Sequence, residues 1–238
     1  MRKRVISVNI QGQNHLDKIA LFLEREDVDI VCLMEVFNTD VERLAGQRYH
    51  YTQYAPNNVI SDDAGGRVTL GVAILSKAPI EPKSIFYSKE FSQDHLEIIG
   101  QGTHAPVVLM VQIGELRIGT THFSWTREGS IDERQRRHVG ELVEYISTQG
   151  EFVLCGDFNI PRPNEMYQLL RQKLIDNIPS DVDNSIDPML HKANQGEPGK
   201  LKFMVDYVFS TPKYVVKNVR MVSGVSDHLG IVYEVECN

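Results

Sequence analysis

Oxygen- and imidazole-bearing side chains recur along this chain where apolar runs end. Asn9 closes the run 4–8, and Glu35 follows Val31-Cys32-Leu33-Met34. His122 comes directly after 116–121, and Asp157 and Asn159 come after Phe152-Val153-Leu154-Cys155-Gly156. Asp206 sits inside Met204-Val205-Asp206-Tyr207-Val208-Phe209, and Asp227-His228 leads into Leu229-Gly230-Ile231-Val232. A carboxylate at the edge of a buried strand is costly to desolvate unless it is paired, hydrogen-bonded or bound to a cation. Taken singly, each Asp or Asn reads as a turn former or cap, and each His as a hydrogen-bonded structural group. Spread together over the whole length, they are hard to explain as caps. Carboxylate and amide oxygens suit a hard divalent cation, magnesium foremost, and an imidazole can move protons near neutral pH. Those are the parts that water needs to attack an anionic phosphate ester. No Cys/His cluster has zinc spacing.

The elements that must carry these residues are visible in the hydrophobic period. Residues 4–8 read as a strand, and Leu16, Ile19, Ala20 and Leu23 form one apolar helix face within 15–25. Residues 29–33 are a nearly continuous apolar run, the mark of a strand buried on both faces, which gives β-α-β within 35 residues. Further strands are expected near 68–76, 106–112 and 116–121, joined by turns such as Asp62-Asp63-Ala64-Gly65-Gly66 and Lys77-Ala78-Pro79. A second helix over 131–148 carries Val139, Leu142, Val143 and Ile146 on one side. Strand 152–156, helix 164–173, a polar loop over 174–203 and strands near 204–210, 215–223 and 229–236 complete the chain. Strands arriving in runs, with helices between only some of them, predict two stacked sheets with helices outside, an α/β fold.

Composition bounds the rest. A chain of 238 residues fits one domain, taken here as 1–238, and can bury a core without disulfides. The net charge of −7 argues against a protein that grips a long nucleic-acid backbone non-specifically. Cys32 and Cys155 lie in apolar runs and Cys237 at the end, an odd set that points to a reducing compartment. After Met1-Arg2-Lys3-Arg4 the apolar stretch is too short for a secretory core or a membrane span, so a cytoplasmic location is expected.

Seven phrases carry a resemblance. Ser7-Val8-Asn9, Leu33-Met34-Glu35-Val36, Gly71-Val72-Ala73-Ile74-Leu75-Ser76, Thr121-His122-Phe123, Gly156-Asp157-Phe158-Asn159, Val205-Asp206-Tyr207-Val208-Phe209 and Ser226-Asp227-His228 stand in the order seen in the endonuclease/exonuclease/phosphatase superfamily. The chain resembles this deoxyribonuclease I-like group over about residues 4–236. The resemblance implies a four-layer α/β sandwich: two mixed β-sheets packed face to face, helices on the outer faces, and the active site at one end. It implies Glu35 as principal ligand of Mg2+, with Mn2+ as a substitute, helped by Asn9 and Asp227. Asp157 and Asn159 would approach the attacking water and the phosphate, Asp206 would orient His228, and His122 would contact phosphate oxygens or assist the leaving group. Met34 stands where many members have Gln, a supporting place that leaves Glu35 itself intact.

The His-containing Thr121-His122-Phe123 resembles the branch with deoxyribonuclease I, sphingomyelinases, inositol-phosphate phosphatases, deadenylase-type nucleases and tyrosyl-DNA phosphodiesterases, rather than the abasic-site endonucleases. After it comes the polar segment Ser124-Trp125-Thr126-Arg127-Glu128-Gly129 with the only tryptophan. One reading stacks Trp125 on a base and pairs Arg127 or Arg134 with phosphate; the other packs Trp125 at a sheet edge and leaves the arginines solvated. Arg67 is a further candidate phosphate contact, whereas Arg136 and Arg137 read better as a solvated helix face. The expectation is a monomeric phosphodiesterase or nuclease acting on nucleic-acid ends or small phosphodiesters. A phosphomonoesterase on sugar or lipid phosphates is the rival enzyme, and an inactive binding module of the same fold is the rival from another class.

Overall fold

The computed structural model describes residues 2–61, 67–98 and 104–237. The expected turn at 62–66 lies outside the described residues. So does the side chain of Arg67, although its backbone opens a strand.

Twelve strands are present among the described residues: β1 (Arg2–Asn9), β2 (Ile30–Phe37), β3 (Tyr51–Ser61), β4 (Arg67–Ser76), β5 (Glu81–Tyr87), β6 (Val107–Ile113), β7 (Leu116–His122), β8 (Val153–Asp157), β9 (Ile175–Asp176), β10 (Asp206–Ser210), β11 (Tyr214–Val222) and β12 (Gly230–Cys237). The α-helices are α1 (Leu16–Glu26), α2 (Val41–Ala45), α3 (Glu133–Ser147) and α4 (Glu165–Arg171). Two six-stranded sheets form, ordered β11-β12-β1-β2-β4-β3 and β5-β6-β7-β8-β10-β9. Each contains one parallel pair, β1–β2 in the first and β7–β8 in the second, among antiparallel neighbours. A parallel pair needs a crossover, supplied by α1 and by α3 respectively. The carboxyl ends of these four strands carry Asn9, Glu35, His122 and Asp157.

Strand alternation builds the layers. Ile6, Val8, Val31 and Leu33 pack with Ile19, Phe22 and Leu23 of α1 and Leu44 of α2, while Val5, Cys32 and Met34 join the larger cluster shared with the second sheet. In that larger cluster Val139, Leu142 and Ile146 of α3 and Met166 and Leu170 of α4 pack with the second sheet. The result is helix, sheet, sheet, helix, the expected sandwich. Each large aliphatic group so buried contributes about 1.5–3 kcal/mol, enough in sum to hold strand ends rigid. Asp132 and Asn164 cap α3 and α4 by accepting from Gln135 N (2.6 Å) and Tyr167 N (2.9 Å).

Two edge-region strands and a short helix escaped the hydrophobic pattern. β5 lies at the sheet edge with four of its seven residues exposed, so it has no apolar alternation to read. β3 is also an edge strand and is rich in polar residues around a break at Pro56. The helix α2 is only five residues long, too short for a period to show. The stretch 174–203 is mostly loop as expected, with the two-residue β9 and a 3-10 turn at Lys192–Asn194 inside it.

Candidate active site

Glu35 reaches the site through a break in β2. The pairing of β2 with β4 shifts between Met34 and Val36, so Glu35 is the extra residue of a bulge. Its φ of 53° is left-handed, a strain of order 1–3 kcal/mol for a non-glycine residue that only a well-packed frame sustains. Without the bulge, strand alternation would send Glu35 toward the helix layer that takes Val36. Gly71 of β4 pairs with Val36 on one side and Pro56 of β3 on the other. A Cβ there would lie 2.2 Å from the Ala55 carbonyl, so only glycine permits this close approach.

Asn9, from the end of β1, joins the two sheets. Its Nδ2 donates to Glu35 Oε1 and to Asp157 Oδ2, both at 3.1 Å, and its Oδ1 accepts from Gln11 N at 3.1 Å. Asp157 ends β8, and Asn159 N donates to its Oδ1 at 2.9 Å. Gly156, at φ 135°, sets up that end: a Cβ would meet the Thr121 carbonyl of β7 at 2.1 Å. Burial, with Asp206 beside it, pushes the Asp157 carboxyl up to about 7. Burial, with Glu35 nearby, likewise pushes Asp227 up to about 6.

Asp206 opens β10, paired directly with Asp157, and its Oδ2 accepts from His228 Nδ1 at 2.7 Å. The His228 Nε2 atom lies 3.9 Å from Asp157 Oδ2. Burial pulls the His228 imidazole down, but the Asp206 and Asp157 carboxylates outweigh it and hold its pKa well above the usual histidine value. His122, at the end of β7, places Nε2 3.6 Å from Glu35 Oε1 and 3.9 Å from Asp157 Oδ2. Burial and the neighbouring His228 push His122 down to about 3, so its ring is neutral at working pH.

Four carboxylates, Glu35, Asp157, Asp206 and Asp227, thus crowd one end of the sandwich, and Asp206 Oδ1 is buried without a hydrogen-bond partner among the described residues. Such crowding is costly unless a cation offsets it. Asp157, Asp206 and His228 present ligand atoms within 4.8 Å of one another and could hold a metal ion. The donor set fits a hard divalent cation, being dominated by oxygen.

A cavity of about 430 Å3 opens at this cluster, lined by Glu35, His122, Asp157, Asn159, Asp227 and His228 together with Trp125, Pro161, Ile186, Leu201 and Phe203. Ile186 and Leu201 come from the long loop 174–203. Trp125 is 52% exposed. Its segment is pinned by Gln135 Nε2, which donates to the carbonyls of Ser124 (3.1 Å) and Asn159 (3.2 Å), and by Ser124 Oγ against His138 Nδ1 at 2.5 Å.

The structure therefore brings together Asn9, Glu35, His122, Asp157, Asn159, Asp206, Asp227 and His228, with Trp125 at the same cavity. Of the candidate arginines, Arg127 is 86% exposed and paired with Glu128, and Arg134 donates to the Trp125 carbonyl at 3.1 Å; neither is itself among the residues lining the cavity, and the side chain of Arg67 lies outside the described residues. Arg136 and Arg137 pair with Glu165 and Glu90 on the helix surface, as the solvated-face reading has it. Sequence reasoning missed Asn57, His104 and His191. Asn57 lies in the unread strand β3, His104 precedes a strand rather than ending one, and His191 sits in the polar loop.

Comparisons with known proteins agree with the architecture. No curated protein matches the chain. Among solved structures, an endonuclease/exonuclease/phosphatase from Bacteroides vulgatus superposes with a TM-score of 0.70 at 17% identity, covering 100% of both chains. The human Nocturnin catalytic domain, with bound sulfate, gives 0.68 at 19% identity, covering 100% of this chain and 94% of that one. D. rerio TDP2 complexed with single strand DNA product gives 0.66 at 16% identity over 99% of each chain. These likenesses, all under 25% identical, establish the fold. The model of the Endonuclease/Exonuclease/phosphatase family matches residues 6–228, a span that begins in β1 and ends on His228, and the chain belongs to that family.

Proposed function

We propose that this chain is a magnesium-dependent phosphodiesterase that hydrolyses nucleic-acid ends or small phosphodiesters, folded as a single domain over 1–238. The observation that carries the reading is the Asn9 amide, which ties Glu35 from one sheet to Asp157 from the other at 3.1 Å each. Glu35, with Asn9 and Asp227 beside it, would hold the ion; the second lone pair of Asn9 Oδ1 remains available next to the Gln11 contact. When bound, the cation offsets phosphate charge and polarises the phosphoryl oxygen.

The chain's own residues do the rest. Asp157 and Asn159 orient the attacking water. Its proton passes to the Asp157–His228 pair, whose atoms lie 3.9 Å apart, while Asp206 holds the imidazole through Nδ1 and so aims Nε2 at the reaction. His122 faces Glu35 and Asp157, at 3.6 and 3.9 Å, and contacts a phosphoryl oxygen. Trp125 offers an exposed face to a base or aromatic group.

The described lining of the cavity holds four carboxylates (Glu35, Glu128, Asp157 and Asp227) and no lysine or arginine. A singly charged diester suits that lining better than a doubly charged monoester or a polyphosphate. The solved neighbours include TDP2 with a DNA product, which supports strand ends as substrates.

The test is a panel assayed with magnesium: blocked and unblocked oligonucleotides, RNA, inositol phosphates and a chromogenic diester, with Glu35→Ala as the blank. Hydrolysis of diesters by the natural chain, lost in Glu35→Ala while the folded spectrum is kept, supports the reading. Undiminished activity in that variant sinks the metal assignment.

A further inference from the structure

Two buried side chains outside the expected set converge on His122. Asn57 is fully buried on β3, where the pairing with β4 shifts between Pro56 and Asn58, so Asn57 is the extra residue of a second bulge. This bulge and the one that aims Glu35 flank the same Gly71, one on each side of β4. Bulges beside a site re-aim a side chain, and here the Asn57 amide meets His122 Nδ1 at 3.3 Å. On the flat of the ring, His104 stacks against His122 with centroids 3.8 Å apart and planes 18° from parallel. His104 Nε2 donates to the Phe123 carbonyl at 2.7 Å, the same oxygen that accepts from Asn159 Nδ2 at 3.0 Å.

The partners decide where His122 carries its proton. Its Nε2 looks toward Glu35 Oε1 and Asp157 Oδ2, at 3.6 and 3.9 Å. A bare nitrogen there would set a lone pair against two anions, so Nε2 bears the hydrogen. Asn57 Nδ2 lies 3.3 Å from Nδ1, so Nδ1 accepts from that NH2 and carries no hydrogen of its own. Asn57 gives its nitrogen to His122 while its own Oδ1 stays buried without a partner among the described residues. The opposite amide orientation would demand a hydrogen on Nδ1 and, with Nε2 still facing the carboxylates, would make the ring a cation.

We propose that Asn57 and His104 are positioning residues that present His122 to the substrate as a neutral imidazole with its proton on Nε2. In this arrangement His122 is a fixed hydrogen-bond donor to a phosphoryl oxygen, not a cationic acid. Asn57 sets the tautomer. His104 sets the plane of the ring and, through the shared Phe123 carbonyl, ties it to Asn159. The role in turnover rests on the phosphodiesterase reading above; the tautomer does not. His122 and His228 are thereby set apart: the first is held by an amide and kept neutral, the second is held by the Asp206 carboxylate, which favours its cation.

The experiment is a long-range proton–nitrogen correlation spectrum of the histidine-15N-labelled full chain with magnesium, recorded for the natural protein and for Asn57→Asp, alongside steady-state kinetics on a chromogenic diester. The expected spectrum shows His122 with hydrogen on Nε2 in the natural protein. In Asn57→Asp the new carboxylate adds a hydrogen at Nδ1, and the resulting cation pairs with Glu35 and Asp157 instead of the substrate. There kcat falls about 10–100-fold with KM little changed, as expected for a donor that acts in the transition state. His104→Phe, which keeps a ring but loses the bond to Phe123, should keep the tautomer and lower kcat. Hydrogen on Nδ1 in the natural protein, or a kcat unmoved by Asn57→Asp, overturns the proposal. If Asn57→Asp does not fold, the natural spectrum alone decides the tautomer. A chain that shows the expected tautomer, and its loss in Asn57→Asp, yet hydrolyses nothing sustains the cradle and sinks the activity.

Discussion

Asp157→Asn should change sign in its effect on stability as pH rises. The carboxyl is 2% exposed, and burial with Asp206 beside it moves its pKa from 3.8 to about 7 in the ion-free protein. Its folded value is raised, so its contribution to stability is fully present below about 3.8 and is lost as pH climbs to about 7. At about 1.4 kcal/mol per unit, the loss between pH 5 and pH 7 is about 2 kcal/mol, and it reaches about 3 kcal/mol by about pH 8.5, where this group is fully ionised. Asparagine cannot ionise and escapes this loss. It carries a separate cost, because the NH2 of the new amide must face either Asn9 Nδ2 or the Asn159 N–H, donor against donor at 3.1 or 2.9 Å. An unsatisfied buried donor costs about 1–3 kcal/mol, and that cost does not vary with pH. The variant should therefore be less stable than the natural chain at about pH 5. It should equal or surpass it at about pH 8.5, with a swing of about 3 kcal/mol or more between the two. Weaker support of the His228 cation in the variant adds to the swing in the same direction, because His228 also holds its proton more tightly in the folded protein. Urea titrations in a chelating buffer at both pH values measure it. A stability difference that stays constant across that range would refute the account of a strained, proton-hungry carboxylate.

Other outcomes follow from the same geometry. His228→Ala should lower kcat by about 10²–10⁴-fold with little change in magnesium affinity, and flatten the pH–rate profile on the limb set by the base; an unchanged profile removes it from proton transfer. Magnesium binding should release protons and tighten as pH rises, because Asp157 and Asp227 both hold protons more strongly than usual in the ion-free cluster. Calorimetry in two buffers of different ionisation heat reads that release, and identical heats in both would contradict it. Trp125→Ala should raise KM for substrates bearing a base by about 5–100-fold, the equivalent of about 1–3 kcal/mol of stacking, and leave a small chromogenic diester nearly untouched. Equal effects on both substrates would assign the indole to packing instead.

The order of apolar runs and the polar residues that end them were determined by the sequence itself. Asn9, Glu35, His122, Asp157, Asp206 and His228 could be picked out because strand burial is a local, periodic property. A carboxylate that ends a strand is conspicuous wherever that strand goes. The first β-α-β unit was equally plain, and α3 was legible as a helix, since α1 and α3 each carry an apolar stripe. What these residues do to one another was decided by tertiary structure alone. Asn9 and Asp157 are 148 positions apart, and nothing short of packing the two sheets face to face puts the amide between the carboxylates. Bulges at Glu35 and Asn57 break the period-two rule on which strand reading depends, so their direction could not be inferred from alternation. The arginines show the converse. Their charge is visible in any sequence, but whether a guanidinium meets a phosphate, a glutamate or a backbone carbonyl depends on which partner the fold brings within about 3 Å, and here Arg134, Arg136 and Arg137 have protein partners.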